Sequence, residues 1–135
     1  EMLQSGGNLY RGMVFGETNR LGWCGNSPEP IWKLWDSFGI EDSDMLGWWN
    51  EACPIKSDNE KVLVTCYEKE DKTLIAMANW SNNPEKAKLV WKGQPKTVAK
   101  LYVPEIEGVQ GYRVVNFEDE IELEGSKGLI LIQEK

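Results

Sequence analysis

Two runs of apolar and β-branched residues stand at the centre of the chain, separated by a short charged segment. The first run extends from Val62 to Tyr67 and the second from Thr73 to Trp80, with Glu-Lys-Glu-Asp-Lys between them. Two such runs around a polar turn predict an antiparallel hairpin. In the second run both alternating sets of side chains are mainly apolar, which is typical of a strand covered on both faces. We therefore expect this hairpin to lie centrally in a sheet.

Shorter apolar runs follow the hairpin and predict further strands, with glycine and proline in the turns between them. These runs are residues 87–91, 98–103, 112–117, 121–123 and 129–132. Several short strands separated by turns are typical of an antiparallel β-sandwich. The expected fold class is therefore mainly β, with the sandwich domain over residues 56–135.

The residues before the hairpin have a different pattern. Residues 10–16 form an apolar run that stops at a polar stretch, as a buried parallel strand does. Residues 31–38 then carry apolar side chains at helical spacing, with Pro30 suited to the first turn and Gly39 to the C-terminal cap. Strand, loop and helix make one β/α unit within residues 1–55. One such unit cannot form a parallel sheet alone.

Part of the segment 39–54 matches the motif of a calcium-binding loop. Asp42, Asp44 and Gly47 occupy the first, third and sixth positions of that motif, but Leu46 and Cys53 stand where ligand oxygens belong. We therefore reject a calcium loop and predict a short helical turn here. No metal site and no cofactor are predicted.

Composition narrows the function classes. The chain has 135 residues, enough for about one domain, and a formal net charge of -7, which argues against nucleic acid as a partner. No apolar run is long enough for a membrane span. There is no histidine, which excludes Ser-His-Asp and Cys-His nucleophiles and His-ligated zinc. The chain starts at Glu1 rather than at methionine, so we expect a piece of a longer protein.

The three cysteines are too far apart in sequence for a Cys-x-x-Cys site. Cys66 lies in the first hairpin strand and is predicted to be a buried apolar filler. Cys24 and Cys53 both lie in predicted loops, and the sequence leaves open whether they form a disulfide in an exported protein.

Three segments carry a resemblance to a known family. They are Arg-Gly-Met-Val-Phe-Gly-Glu-Thr-Asn-Arg-Leu-Gly-Trp at 11–23, Ile-Trp-Lys-Leu-Trp-Asp-Ser-Phe-Gly-Ile at 31–40 and Met-Leu-Gly-Trp-Trp at 45–49. Together they resemble the C-terminal region of large bacterial proteins similar to glycoside hydrolase family 123. The resemblance implies a (β/α)8 barrel followed by an all-β domain. Residues 10–38 would then be the last β/α unit of the barrel.

The resemblance also implies candidate site residues, because barrel active sites lie at the carboxyl ends of the strands. Asn19, Arg20 and Trp23 follow the predicted strand and are expected to contact sugar. Glu17 is a weak candidate for a catalytic carboxyl group, and an ion pair with Arg20 is the alternative. Since glycoside hydrolysis usually needs two carboxyl groups, we expect the principal acid upstream and no turnover by this chain alone. The expected partners are the upstream barrel and carbohydrate. The sequence leaves the localisation open, with a secreted or periplasmic bacterial protein as one alternative.

Seven tryptophans suggest a second hypothesis, a carbohydrate-binding module with an aromatic platform. Trp48 is a further candidate for a sugar contact, but Trp48 and Trp49 are adjacent in sequence and cannot form one flat surface. The other tryptophans of the periodic segments are predicted to be helix core (Trp32, Trp35) or inter-sheet packing (Trp80, Trp91). A third hypothesis is a purely structural tail that stabilises the barrel.

Overall fold

The computed structural model describes residues 29–93, 98–106, 110–125 and 127–135. In this part the chain forms helix α1 (Glu29–Phe38), a short 3₁₀ helix (Ile40–Asp42) and ten strands. The strands are β1 (Asp44–Leu46), β2 (Ile55–Ser57), β3 (Val62–Glu68), β4 (Lys72–Asn79), β5 (Glu85–Ala87), β6 (Leu89–Trp91), β7 (Lys100–Val103), β8 (Arg113–Val114), β9 (Ile121–Leu123) and β10 (Gly128–Glu134).

Six strands form one antiparallel sheet in the order β1-β3-β4-β10-β7-β8. The predicted hairpin is confirmed as β3 and β4, whose register runs from Val62 opposite Asn79 to Glu68 opposite Thr73. Every residue of β4 after Lys72 is buried. Strand β4 is buried along its length because it has strands on both sides and packed layers on both faces, as its two apolar faces predict.

One face of this sheet packs against two smaller strand pairs, β2 with β6 and β5 with β9. Val64, Met77 and Leu131 from the sheet join Ile55 and Ile121 from the pairs in one cluster of buried residues. We call this cluster the sandwich core. The side chains of β4 alternate between the two faces of the sheet. Ile75 and Met77 point into the sandwich core, whereas Leu74 and Ala76 point to the opposite face.

Helix α1 covers part of the other face. Phe38, at the end of the helix, is buried together with Tyr67, Leu74 and Ile130 of the sheet, and we call this cluster the helix core. The helix ends as predicted, because Gly39 adopts a left-handed conformation with φ of 78° and its N–H donates to the Trp35 carbonyl at 2.8 Å.

The predicted strand 87–91 is wrong in its extent, because Lys88 interrupts it. Strand β5 pairs with β9, whereas β6 pairs with β2. At the break, the Lys88 N–H donates to the Asp58 side chain at 2.8 Å and the Lys88 carbonyl accepts from the Asp58 N–H at 3.1 Å. The chain therefore changes partner strand at this residue.

Three further predictions need correction. The helical turn predicted after Gly39 holds only for Ile40–Asp42, because residues 44–46 form the edge strand β1 instead. The strand predicted at 112–117 is reduced to Arg113–Val114. Trp91 stacks on Phe117 with ring centroids 4.7 Å apart, as expected of inter-sheet packing, but Trp80 is 40% exposed and does not pack between sheets.

Some predictions fall outside these residues. The strand predicted at 10–16, and with it the barrel unit, lies outside the described part of the chain, as do the side chains of residues 29–32. The domain boundary near residue 55 stays a prediction.

Candidate functional site

A groove opens beside β3, where the chain leaves β1 and turns back into β2. It has a volume of about 500 Å³, including the part open to solvent. We call it the Trp48 groove. Its walls are formed by Trp48, Asn50, Cys53, Ile55, Lys56, Ser57, Asn59, Glu60, Val62, Leu63, Val64 and Lys92.

A tight turn holds Trp48 at this place. The Trp48 N–H donates to the Thr65 hydroxyl on β3 at 3.2 Å. The Asn50 N–H donates to the Gly47 carbonyl at 2.8 Å, and the Asn50 side chain accepts from the Ala52 N–H at 2.8 Å. These bonds satisfy the backbone of a segment without regular structure and fix the direction in which it leaves the sheet edge.

Trp48 and Trp49 do not share a plane. Their ring centroids are 5.9 Å apart and the rings are inclined at 88°, which confirms that they do not form one flat platform. The Trp49 ring instead lies over Gly47, where an added Cβ would come within 2.5 Å of it. The Trp48 side chain is 43% exposed and the Trp49 side chain 57%, so both present apolar surface to solvent.

Polar groups of both charges border the groove. Lys56, Lys92 and Glu60 line it, and Asn59 donates from its amide to Glu85 at 3.0 Å. This hydrogen bond, together with Lys61 and Ser81, lowers the pKa of the Glu85 carboxyl group. Among the groove residues that the structure describes, Glu60 alone is acidic. The paired carboxyl groups that glycoside hydrolysis usually requires are therefore not assembled in this groove.

The predicted site residues divide into two groups. Glu17, Asn19, Arg20 and Trp23 lie outside the described residues, so their roles stay predictions. Trp48 is described and lies in a groove. The sequence analysis did not predict the polar residues that line this groove, which are Asn50, Lys56, Asn59 and Lys92. They come from separate loops and strands, and no local sequence motif connects them.

A second aromatic cluster lies at the opposite sheet edge. The Tyr102 and Tyr112 rings are 5.7 Å apart and inclined at 41°, and the Lys100 ammonium lies 4.8 Å and 5.6 Å from their centroids. A hydrogen bond with Tyr112 raises the pKa of Lys100. Tyr102 and Tyr112 are brought together by the pairing of β7 with β8, which sequence periodicity did not predict at these bounds.

Asp42 and Asp44 do not share one loop, since the first ends the 3₁₀ helix and the second begins β1. In the described ranges, no group of three or more potential metal-ligating side chains comes together. No helix of the described residues is long and apolar enough to cross a membrane.

A family model named glycoside hydrolase 123, C-terminal domain, matches residues 27–134. This match covers far more than half of the 135 residues. The chain belongs to this family. The resemblance seen in the sequence is thereby confirmed. No curated protein matches the chain.

The glycoside hydrolase 123 C-terminal domain, as matched here, begins two residues before α1 and ends with the last residue of β10. It therefore includes both faces of the six-stranded sheet, the sandwich core and the helix core. The Trp48 groove and the exposed residues Trp48 and Trp49 belong to the domain itself.

Proposed function

We propose that this chain is a non-catalytic accessory domain of a glycoside hydrolase, and that it stabilises an upstream catalytic region by packing against it. The family match supports a role as a C-terminal domain of such an enzyme. The observation that carries the docking part of the proposal is the exposed apolar edge formed by Met45, Trp48 and Trp49.

This apolar edge lies on and directly after β1, the outermost strand of the six-stranded sheet. Three large apolar residues are exposed here: Met45 at 38%, Trp48 at 43% and Trp49 at 57%. Large apolar side chains grouped on a surface usually mark an interaction site. Aromatic residues and methionine are also enriched in protein–protein interfaces. We infer that the upstream catalytic region covers this edge.

The neighbouring surface suggests the chemistry of the partner face. At the end of α1 and along the 3₁₀ helix that precedes β1, a depression is lined by Trp35 and Ile40 and by three acidic residues, Asp36, Glu41 and Asp42. An apolar surface with an acidic rim favours a partner that presents apolar side chains surrounded by basic groups. The finer proposal is that this partner is a (β/α)8 barrel, and that Glu17, Asn19, Arg20 and Trp23 lie near its sugar-binding end.

The test is to express the preceding catalytic region separately and to measure its binding to this chain by calorimetry. Trp49→Ser is expected to weaken binding at least tenfold, because it removes the most exposed of the three apolar side chains. Tyr112→Ser is the matched control, since Tyr112 is 54% exposed at the opposite edge of the sheet. Equal affinities of both variants and the wild type would contradict docking through the apolar edge.

A second candidate function is contact with a single sugar ring at Trp48. It is favoured by the mixture of one half-exposed indole with amide, ammonium and carboxylate groups around the groove. Titration of the chain with a panel of monosaccharides should then shift the Trp48 side-chain signals in NMR spectra. Trp48→Ala should abolish binding, whereas Tyr112→Ala should not. A response that survives Trp48→Ala would rule out this groove.

A further inference from the structure

Two cysteine side chains meet in the sandwich core although they are far apart in sequence. Cys53, in the loop that leads into β2, and Cys66, in β3, are both free thiols and both buried. The Cys53 thiol donates to the Ile55 carbonyl at 3.3 Å and approaches the Val64 carbonyl at 3.9 Å. Cys53 and Cys66 belong to the same buried cluster, and a hydrogen bond joins their side chains.

The fold brings the two thiols together through the end of β1. Leu46, the last residue of β1, pairs with Cys66, and the chain then leaves the sheet through the Trp48 turn. The Cys53 N–H donates to the Asn50 carbonyl at 3.0 Å, which turns the chain back towards β3. Strand β2 then begins at Ile55 in the second layer.

We propose that Cys53 and Cys66 are an oxidisable pair that forms a disulfide bond, locking the Trp48 turn onto β3. The oxidant is a low-molecular-weight disulfide. The Cys53 thiolate attacks one of its sulfur atoms and releases the first small thiol, and Cys66 then attacks the Cys53 sulfur and releases the second. Two protein thiols are oxidised and one small disulfide is reduced to two thiols, so electrons and protons balance.

The environment of the pair suits this order of steps. The hydrogen bond with Cys66 lowers the pKa of the Cys53 thiol to about 7, and the thiolate is the attacking form. The hydrogen bond with Cys53, together with burial, raises the pKa of Cys66. Exposed residues precede Cys53 in its loop, Glu51 and Ala52, so a local opening of this loop gives the oxidant access to Cys53 before Cys66.

The pairing differs from the one that the sequence left open. Cys53 is 3% exposed and forms a side-chain hydrogen bond with Cys66, which makes Cys66 its partner in the proposed bond. The proposal therefore assigns Cys24 as the cysteine that stays reduced.

The experiment exposes the full chain to glutathione buffers of increasing oxidised fraction, blocks the remaining thiols by alkylation and maps the peptides by mass spectrometry. We expect a loss of 2 Da, a cross-linked peptide pair containing Cys53 and Cys66, and alkylation of Cys24 alone. Cys24→Ser should form the same cross-link, because it retains both Cys53 and Cys66. We also expect the oxidised chain to have a Tm about 5 °C or more above the reduced chain, reversed by reductant.

Cys53→Ser supplies the negative control and should form no intramolecular cross-link. A disulfide bond that includes Cys24 would overturn the proposal. Alkylation of both Cys53 and Cys66 in the most oxidising buffer would also overturn it. Glutathione left stably attached to Cys53 would also overturn it, since Cys66 should displace it.

Discussion

Lys69, in the turn between β3 and β4, donates a hydrogen bond from Nζ to the carbonyl oxygen of Phe38 at 2.7 Å. The same ammonium group lies 5.4 Å from the centroid of the Phe38 ring. Phe38 is the last residue of α1, and the final carbonyls of a helix have no partner within the helix. The hairpin therefore caps the helix, and this contact fixes the helix against the sheet.

The substitution Lys69→Met keeps the apolar stem and removes the donor and the charge. We expect the free energy of unfolding to fall by about 1–2 kcal/mol, because a charge-assisted hydrogen bond and a favourable interaction with the helix terminus are lost. Urea denaturation followed by circular dichroism measures this change. Lys86→Met is the control, since the Lys86 side chain is exposed and lies 3.9 Å from Glu120 in a surface ion pair. Similar losses in both variants would contradict the capping role.

Asn79, at the end of β4, connects three segments through one buried side chain. Its amide nitrogen donates to the carbonyls of Asn83, Leu123 and Glu124 at 2.9, 3.1 and 3.2 Å, and its oxygen accepts from the Ser81 N–H at 2.8 Å. Asn79→Ala should lower the free energy of unfolding by about 2–3 kcal/mol, because it leaves buried backbone groups without partners.

Chemical denaturation of Asn79→Ala can be compared with Asn116→Ala, in which an exposed asparagine is replaced. The control is expected to change stability by less than about 0.5 kcal/mol. If Asn79→Ala is no more destabilising than the control, the amide does not hold these segments together.

Gly125 lies where the β9–β10 turn crosses the segment after β4. A Cβ at this position would overlap the Asn82 carbonyl oxygen and lie 2.6 Å from its carbonyl carbon. Because the obstacle is backbone, Gly125→Ala should destabilise the domain by about 2 kcal/mol or more. At Gly111, a Cβ would have no atom within 4 Å, and Gly111→Ala should be nearly neutral. Thermal unfolding of the two variants tests the difference, and equal Tm values would show that the turn can move away at little cost.

Tyr67 makes stability depend on pH at the alkaline end. Burial in the helix core raises the pKa of its phenol above the usual value of about 10. The folded state then keeps a proton that the unfolded state loses. The contribution of Tyr67 to the free energy of unfolding is fully present below about pH 10. It is lost as the pH rises from there towards the pKa of the folded state, by about 1.4 kcal/mol per pH unit.

The substitution Tyr67→Phe should remove this contribution to the alkaline loss. Urea denaturation of the wild type and the variant at several values between pH 9 and pH 11 gives the two slopes. As the pH rises, the free energy of unfolding is expected to fall more steeply for the wild type than for the variant. Parallel curves across this range would show that Tyr67 titrates normally in the folded protein.

The sequence by itself determined the elements that have a strong pattern of their own. The hairpin of β3 and β4, the strand β10 and the helix with its Gly39 cap were predicted because each combines apolar periodicity with a turn or cap residue. The adjacency of Trp48 and Trp49 was also enough to exclude a common ring plane, because neighbouring side chains point in different directions in any regular backbone. The family followed from short segments with specific residues.

Only the tertiary structure decided the parts that depend on partners distant in sequence. Strands β1 and β2 have three residues each, too few for a pattern, and they exist because they pair with β3 and β6. Lys88 ends one strand because Asp58 binds its backbone. Cys53 lies in the same buried cluster as Cys66 because the chain turns back after β1. Short strands lack intrinsic stability, so they form only where the fold supplies hydrogen-bonding partners. The residues that line the Trp48 groove are likewise brought together only by the fold.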